Sequence, residues 1–160
     1  MSSVSPAALA ELAFLRGMAA EHVARLAELA SIVSAPAGYR FFEEGGNARL
    51  FWLIRSGHVA LDLHVSGHDR LIVETLRDGD LMGISWQAPP HEWQYGAEAV
   101  QPTEAFELDG PAVLALCESD QVLGYQFTRR LLTVAARRLY ASRIRMLDLY
   151  GAPGQDGGQR

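Results

Sequence analysis

The sequence has a single cysteine, no lysine and no long hydrophobic run. Because Cys117 is alone, an internal disulfide, a Cys-x-x-Cys redox pair and a cysteine-ligated iron–sulfur cluster are excluded within the chain. Charged residues or glycine interrupt every apolar stretch, so no segment is predicted to span a bilayer. No basic segment precedes the apolar residues near the N-terminus, so no secretory signal is expected. We therefore predict a cytoplasmic protein.

Positive charge is missing from the middle of the chain. All 14 basic residues are arginines, and none lies between Arg77 and Arg129. That interval carries nine carboxylates: Asp78, Asp80, Glu92, Glu98, Glu104, Glu107, Asp109, Glu118 and Asp120. The next segment contains six arginines: Arg129, Arg130, Arg137, Arg138, Arg143 and Arg145. An anionic partner is expected to avoid the middle of the chain unless the fold brings a distant arginine to it.

Helical patterns occur at both ends of the chain. Ser5 followed by Pro6 is typical of a helix N-cap and first helical position. A second helical pattern covers roughly residues 19–33, where apolar residues recur on one face. The helical period returns from about residue 120 to residue 150.

Between the helical segments the period changes to two, which is typical of strands. FWLIR at 51–55 predicts one strand, and apolar residues alternate with polar ones over 59–66. RLIVETL at 70–76 and TEAFEL at 103–108 predict further strands, with glycine-containing turns between them. The fold class predicted from this order is α+β, mainly β: an antiparallel, jelly-roll-like β-roll with helices at its ends.

The domain prediction is one domain over residues 1–150. It consists of N-terminal helices (1–35), a β-roll (36–118) and a long C-terminal helix (119–150), and a disordered tail (151–160) follows it.

Apolar residues repeat every seven positions along the last helix and predict a seam for helix pairing. The seam consists of Leu132, Ala135, Leu139, Ser142, Met146 and Leu149. We therefore predict a homodimer formed through this helix.

Two motifs resemble the cyclic nucleotide-binding domain of the catabolite-activator (CRP/FNR) type of bacterial regulators. They are AGYRFFEEGGNARLFWLIRSGHVALDL at 37–63 and LRDGDLMG at 76–83. The resemblance covers roughly residues 9–150 and implies a β-roll, a non-enzymatic regulatory role and a ligand site in the loop after Gly83. In the resembling transcription factors a DNA-binding domain follows the long helix. This chain stops at residue 160, so a stand-alone module without sequence-specific DNA binding is predicted.

The loop departs from the pattern of the family at the two positions that carry its chemistry. The residue after Gly83 is usually a glutamate that holds the ribose hydroxyl, and here it is Ile84. The arginine that pairs with the cyclic phosphate aligns with Trp93 or Gln94, and neither is a cation. The phosphate-binding cassette is therefore degenerate. Because a charge-assisted hydrogen bond contributes about 1.5–3 kcal/mol, its loss lowers the affinity, and we predict no ordinary binding of cyclic AMP.

The aromatic residues of the loop leave several functions open. The candidate pocket residues are Gly83, Ile84, Ser85, Trp86, Trp93, Gln94, Tyr95 and Gly96. The tryptophans either wall a pocket for a different, flat or apolar ligand, fill the vacated phosphate site, or form a docking surface for a protein. A fourth interpretation is a conventional nucleotide in an unusual pose.

The residues do not form a pattern typical of a catalytic or metal site. His58, His64 and His68 lie near one predicted strand and its hairpin, and His58 and His64 would be about 20 Å apart, too far for one ion. Neither a paired nucleophile and base nor a cofactor motif is found. We predict a sensor module with altered ligand specificity, no enzymatic activity, no metal and no cofactor; the alternative is a ligand-free protein-interaction or scaffold module of the same fold.

Overall fold

The structure, a computed structural model, describes residues 3–151. The chain begins with helix α1 (Pro6–Ala10), a short 3-10 helix (Ala13–Leu15) and helix α2 (Ala20–Glu28). Ser5 occupies the N-cap position of α1, as predicted, although its side chain makes no capping hydrogen bond. Pro6 fits the first turn because its fixed φ suits a helix and its missing N–H has no partner there.

Eight strands follow and form two four-stranded antiparallel sheets. Strands β1 to β8 are Ala30–Ala35, Arg40–Phe42, Leu50–Ser56, Val59–Leu63, Leu71–Leu76, Leu81–Met82, Gly96–Ala99 and Thr103–Asp109. One sheet has the order β1-β8-β3-β6 and the other has the order β2-β7-β4-β5. This arrangement confirms the predicted β-roll.

Two helices complete the described chain: α3 (Gly110–Ser119) and α4 (Gln121–Tyr150). Asp120 caps α4, since its Oδ1 accepts a hydrogen bond from the Leu123 N–H at 3.1 Å. The long C-terminal helix is thereby confirmed. Within residues 3–151 no helix combines the length and the apolarity needed to cross a membrane.

Strand β3 lies at the centre of the molecule and is buried on both faces. On one face, the Phe51 ring lies 6.0 Å from Phe127 of α4. On the other face, Trp52 lies 5.5 Å from Phe41 and 5.6 Å from Phe42, measured between ring centroids. β3 therefore separates the helical layer from the second sheet, and aromatic rings fill the space on each side.

Two boundaries differ from the prediction. The helical pattern assigned to residues 19–33 ends at Glu28, and Ala30–Ala35 is strand β1, so residues 1–35 are not wholly helical. β1 pairs with β8 along its whole length, from Ala30 opposite Leu108 to Ala35 opposite Thr103. The β-branched residues Ile32 and Val33 have only a weak preference for a helix. The hydrogen bonds between β1 and β8 therefore outweigh the helical period of the sequence.

Helix α3 is the second difference, because the prediction assigns residues 110–118 to the β-roll. The helix begins at a recognisable signal: Asp109 is the N-cap, its Oδ2 accepts from the Ala112 N–H at 3.2 Å, and Pro111 lies in the first turn. The β-roll therefore ends with β8 at Asp109.

Helix α4 packs against the roll with only its first half. Its buried stripe consists of Leu123, Phe127, Leu131 and Val134, with the i, i+4 and i, i+3 spacings of one helix face. Ala141 is its last partly buried residue, and every residue from 142 to 150 is exposed. The last turns of α4 thus extend beyond the roll.

Candidate functional site

The loop between β6 and β7 begins at Gly83, where the backbone has φ +92°. Only glycine adopts this conformation readily. A Cβ at this position would lie 2.9 Å from Cη2 and 3.0 Å from Cζ3 of Trp93. Gly83 is therefore required both by its backbone conformation and by the close approach of the tryptophan ring.

Trp93 is buried, with 6% of its surface exposed. Its ring stacks on Phe42 with a centroid distance of 3.8 Å and an interplanar angle of 14°. Its backbone N–H donates to the Gly46 carbonyl at 2.8 Å, and its carbonyl accepts from the Gly45 N–H at 2.8 Å. Stacking and backbone pairing together hold Trp93 inside the roll.

Trp86 is buried on the other side of the loop, with 4% exposure. It stacks on Phe51 at 4.9 Å, and its Nε1–H donates to the Gly83 carbonyl at 3.2 Å. His91 Nδ1 lies 2.9 Å from the Trp86 carbonyl. A Cβ on Gly110 would lie 2.7 Å from the Trp86 ring, so this glycine makes room for the indole.

The remaining candidate residues do not converge on one point. Ile84 and Ser85 are half-buried, whereas Gln94 is exposed and donates from Nε2 to the Glu92 carbonyl at 3.2 Å. Tyr95 is 39% exposed. The structure thus brings Gly83, Trp86 and Trp93 together and leaves the polar candidates at the edge of the loop.

The eighth candidate, Gly96, lies beneath the guanidinium of Arg40 on β2. Arg40 forms ion pairs with Asp62 (Nη2 to Oδ1 3.1 Å), Glu98 (3.3 Å) and Glu43 (2.9 Å). The hydrogen bonds to Asp62 are the main reason that the pKa of Arg40 lies well above its usual value. Because three carboxylates already surround this cation, it is not free to bind a phosphate.

A second guanidinium reaches the roll from α4. Arg138 donates a hydrogen bond to the Leu81 carbonyl, two residues before Gly83, and its Nε lies 3.6 Å from Oε2 of Glu74. Its side chain is 18% exposed. Burial lowers the pKa of Arg138, while the nearby carboxylates of Glu74 and Asp80 oppose this shift.

Beside Arg138 a cleft of about 400 Å³ opens between α4, the 3-10 helix and the turn that joins β5 to β6. Its lining residues are Ala13, Phe14, Glu74, Leu76, Asp78, Gly79, Asp80, Leu81, Val134, Arg137, Arg138 and Ala141. The eight loop residues predicted for the pocket are not among them. The sequence does contain a signal for this cleft, because Arg137-Arg138 and Asp78-Gly79-Asp80 are compact charged motifs, but it does not show that they meet.

The predicted dimer seam lies along the outer side of α4. Its large residues are exposed: Leu132 67%, Leu139 56%, Met146 55% and Leu149 80%. Ala135 is half-buried and Ser142 is exposed. The structure thus leaves the stripe uncovered over the length that the heptad pattern indicates.

The histidines are not gathered into a metal site. Across residues 3–151, no three His, Cys, Asp or Glu side chains lie close enough together to hold a metal ion. Cys117 is half-buried, and burial raises the pKa of its thiol.

The sequence of residues 32–120, more than half of the chain, matches the cyclic nucleotide-binding domain family. The chain belongs to this family. The matched part of this cyclic nucleotide-binding domain includes the loop with Trp86 and Trp93, whereas α4 lies beyond the matched residues. No match was found among curated proteins.

Solved structures share the fold of this cyclic nucleotide-binding domain. A cyclic nucleotide-binding domain from Methylobacillus flagellatus superposes with a TM-score of 0.77 at 20% identity, covering 89% of this chain and 80% of its own. A Geobacter metallireducens protein gives 0.75 at 24% identity, with coverages of 85% and 98%. The catabolite activator protein of Thermus thermophilus gives 0.71 at 26% identity, with coverages of 92% and 63%. The predicted resemblance to CRP/FNR-like regulators is therefore confirmed.

Proposed function

We propose that this cyclic nucleotide-binding domain is a non-enzymatic regulatory module that does not bind cyclic AMP in the manner usual for its family. The observation that carries the proposal is the position of Trp93. Trp93 is one of the two positions, with Gln94, that can align with the phosphate-binding arginine of the family, and its indole is 6% exposed and stacked on Phe42. A phosphate in this loop would have to displace a buried aromatic side chain, and the loop itself carries no cation to pair with it.

The electrostatics of the loop support the same conclusion. Ile84 has no polar group for a ribose hydroxyl, and Arg40 is engaged by three carboxylates. The loss of one charged hydrogen bond costs about 1.5–3 kcal/mol, which corresponds to roughly a ten- to hundredfold loss of affinity. The loss of the ribose contact adds to this.

Burial of both tryptophans favours one of the open interpretations of the loop. An aromatic-walled pocket or a docking surface requires accessible rings, whereas Trp86 and Trp93 are 4% and 6% exposed. We therefore infer that the indoles fill the vacated site. A ligand of altered chemistry then binds elsewhere in the module; the alternative remains a scaffold module that binds no ligand.

The test is cyclic AMP binding to the wild-type chain and to a double variant, Ile84→Glu with Trp93→Arg, measured by isothermal titration calorimetry. We expect no wild-type binding at micromolar concentrations and an affinity at least tenfold higher in the double variant. A matched control, Ile84→Glu with Trp93→Met, opens the same space without adding the cation and should not gain affinity. Micromolar binding by the wild-type chain contradicts the proposal, and absence of any gain in the folded double variant contradicts its assignment to positions 84 and 93.

We also propose that the module is a homodimer joined along α4. The exposed seam residues would be buried against the same residues of a second copy, as in a two-stranded helix pair. Leu139→Glu should therefore halve the mass measured by light scattering. Val122→Glu is the matched control, because Val122 is equally exposed, at 61%, but lies off the seam. An unchanged mass for Leu139→Glu excludes this seam as the interface.

The remaining expectations concern partners and location. We propose that the module acts in the cytoplasm through a protein partner rather than by reading a DNA sequence itself. The arginines of α4 would then contact solvent or the rest of the domain rather than DNA: Arg130 donates to the Arg16 carbonyl at 2.9 Å, and Arg138 donates to the Leu81 carbonyl.

A further inference from the structure

The cleft beside α4 has the size of a small-molecule site. Its volume of about 400 Å³ falls in the range of ligand pockets, roughly 300–1,000 Å³. It lies where three separate elements meet, namely α4, the 3-10 helix and the β5–β6 turn. A ligand bound here would contact the helix and the roll simultaneously.

One side of the cleft is cationic. Arg137 is exposed, and within the described chain its guanidinium has no carboxylate within ion-pair distance and no hydrogen-bond partner. Arg138 is held by Glu74 and by the Leu81 carbonyl, and it is 18% exposed. A guanidinium fixed in this way is preorganised for a carboxylate.

A second wall of the cleft, the turn between β5 and β6, is anionic. Asp78 Oδ1 accepts from the Gly57 N–H at 2.9 Å, and Asp80 Oδ2 accepts from the Arg77 N–H at 2.8 Å. These bonds fix the two carboxylates and use one oxygen of each. The second oxygens of Asp78 and Asp80 accept no hydrogen bond from any residue that the structure describes, so both can accept from a ligand.

Phe14, Leu76, Leu81 and Val134 line the cleft but belong to the core and are at most 7% exposed. The apolar surface that a ligand can reach comes from Ala13, which is exposed, and Ala141, which is half-buried. A hydrocarbon group of a ligand would displace water from this surface.

We propose that this cleft binds a free α-amino acid with an apolar side chain. A simple anion would meet three carboxylates, and a simple cation would meet two guanidinium groups. A ligand that carries both charges satisfies both sides: its carboxylate pairs with Arg137 and Arg138, and its ammonium group pairs with Asp78 and Asp80. The side chain then lies against Ala13 and Ala141.

Such a ligand would link α4 to the turn between β5 and β6. It would therefore favour the conformation in which the helix and the roll are in contact, in proportion to its differential affinity for that state. The inference names a ligand class for the regulatory module proposed above, but it does not depend on how the loop at Trp93 behaves.

The test is thermal unfolding of the full chain with L-leucine or L-phenylalanine at 10 mM. We expect a rise in Tm of about 2–4 °C. 4-Methylpentanoate, which lacks the amino group of leucine, and 3-methylbutylamine, which lacks its carboxylate, should each give a much smaller rise. No response to either amino acid overturns the proposal, and an equal response to the acid or the amine overturns its two-charge character.

Variants locate the site. Arg137→Gln and Asp78→Asn should each weaken binding at least tenfold, and the asparagine keeps an acceptor for the Gly57 N–H. Arg129→Gln is the matched control on the same helix, outside the cleft, and should leave affinity unchanged. The Ile84→Glu, Trp93→Arg double variant should also bind L-leucine normally. A failure of the cleft proposal can therefore be distinguished from a failure of the loop proposal. Equal binding by Arg137→Gln and wild type places the ligand elsewhere and overturns the assignment.

Discussion

The loop that starts at Gly83 and the cleft beside Arg138 are close neighbours with opposite character. The loop is closed by indoles stacked on Phe42 and Phe51, whereas the cleft is open and lined by five charged side chains. Residues 83–96 of the loop contain no arginine or lysine. The cleft concentrates guanidinium and carboxylate groups a few residues away. Under the two proposals above, the fold is retained while its polar recognition chemistry lies on a different wall.

The sharpest test of this contrast is truncation of an indole in the loop. Trp86→Ala removes a ring that is 4% exposed and stacked on Phe51, and it should lower the free energy of unfolding by about 3–5 kcal/mol. Tyr95→Ala, in the same loop but 39% exposed, should cost about 1 kcal/mol or less. Urea unfolding monitored by circular dichroism measures both. Similar losses for the two variants would mean that the loop is not a packed element.

A smaller effect is expected at the glycine that the indole approaches. Gly83→Ala combines a positive φ with a Cβ about 3 Å from the Trp93 ring, and it should destabilise by about 2–3 kcal/mol. Gly67 has a similar φ of +79°, but a Cβ there would meet no heavy atom within 4 Å, so Gly67→Ala should cost only about 1 kcal/mol. The difference between the two urea midpoints isolates the contact with the ring. Equal midpoints would show that the ring moves aside without cost.

The smallest effect is expected in the cleft. Arg138→Met removes the guanidinium near Glu74 and the hydrogen bond to the Leu81 carbonyl. The Glu74 carboxylate is 28% exposed and can be rehydrated, so the loss of stability should be about 1–2 kcal/mol. Arg137→Gln, which breaks no ion pair or hydrogen bond within residues 3–151, should fall within about 0.5 kcal/mol. A loss above about 3 kcal/mol for Arg138→Met would show that the cleft, like the loop, is primarily structural.

The strands and the long helix could be predicted because their signals are local. The alternation over residues 59–66 predicted a strand with Val59 and Leu61 in the core, although the strand ends at Leu63, Ala60 is buried as well and Val65 is exposed. The helical period correctly gave the extent of α4. The helical period gave a wrong prediction at residues 29–33, because pairing with β8 determines the structure there. The alternation also could not predict that Asp62 is buried, because Arg40 covers it from a neighbouring strand.

The site could be predicted less well from the sequence, because its contacts join residues that are far apart in the chain. Burial of Trp93 depends on Phe42, and burial of Trp86 depends on Phe51. The loop sequence alone is therefore consistent with a pocket, a filled core, a docking surface or a nucleotide in an unusual pose. The cleft forms only when α4 folds back on the β5–β6 turn. Arg138 and Glu74 are far apart in the chain, and no local pattern indicates that they meet.

The free end of α4 gives this small module a mechanical property. From Val134, the last fully buried residue of the helix, to Tyr150 the axis extends about 24 Å. If this segment of α4 tilted by about 10° where it leaves the roll, Tyr150 would move by about 4 Å. A tilt too small to alter the sheets therefore produces a larger displacement at the end of α4, where a bound partner would detect it.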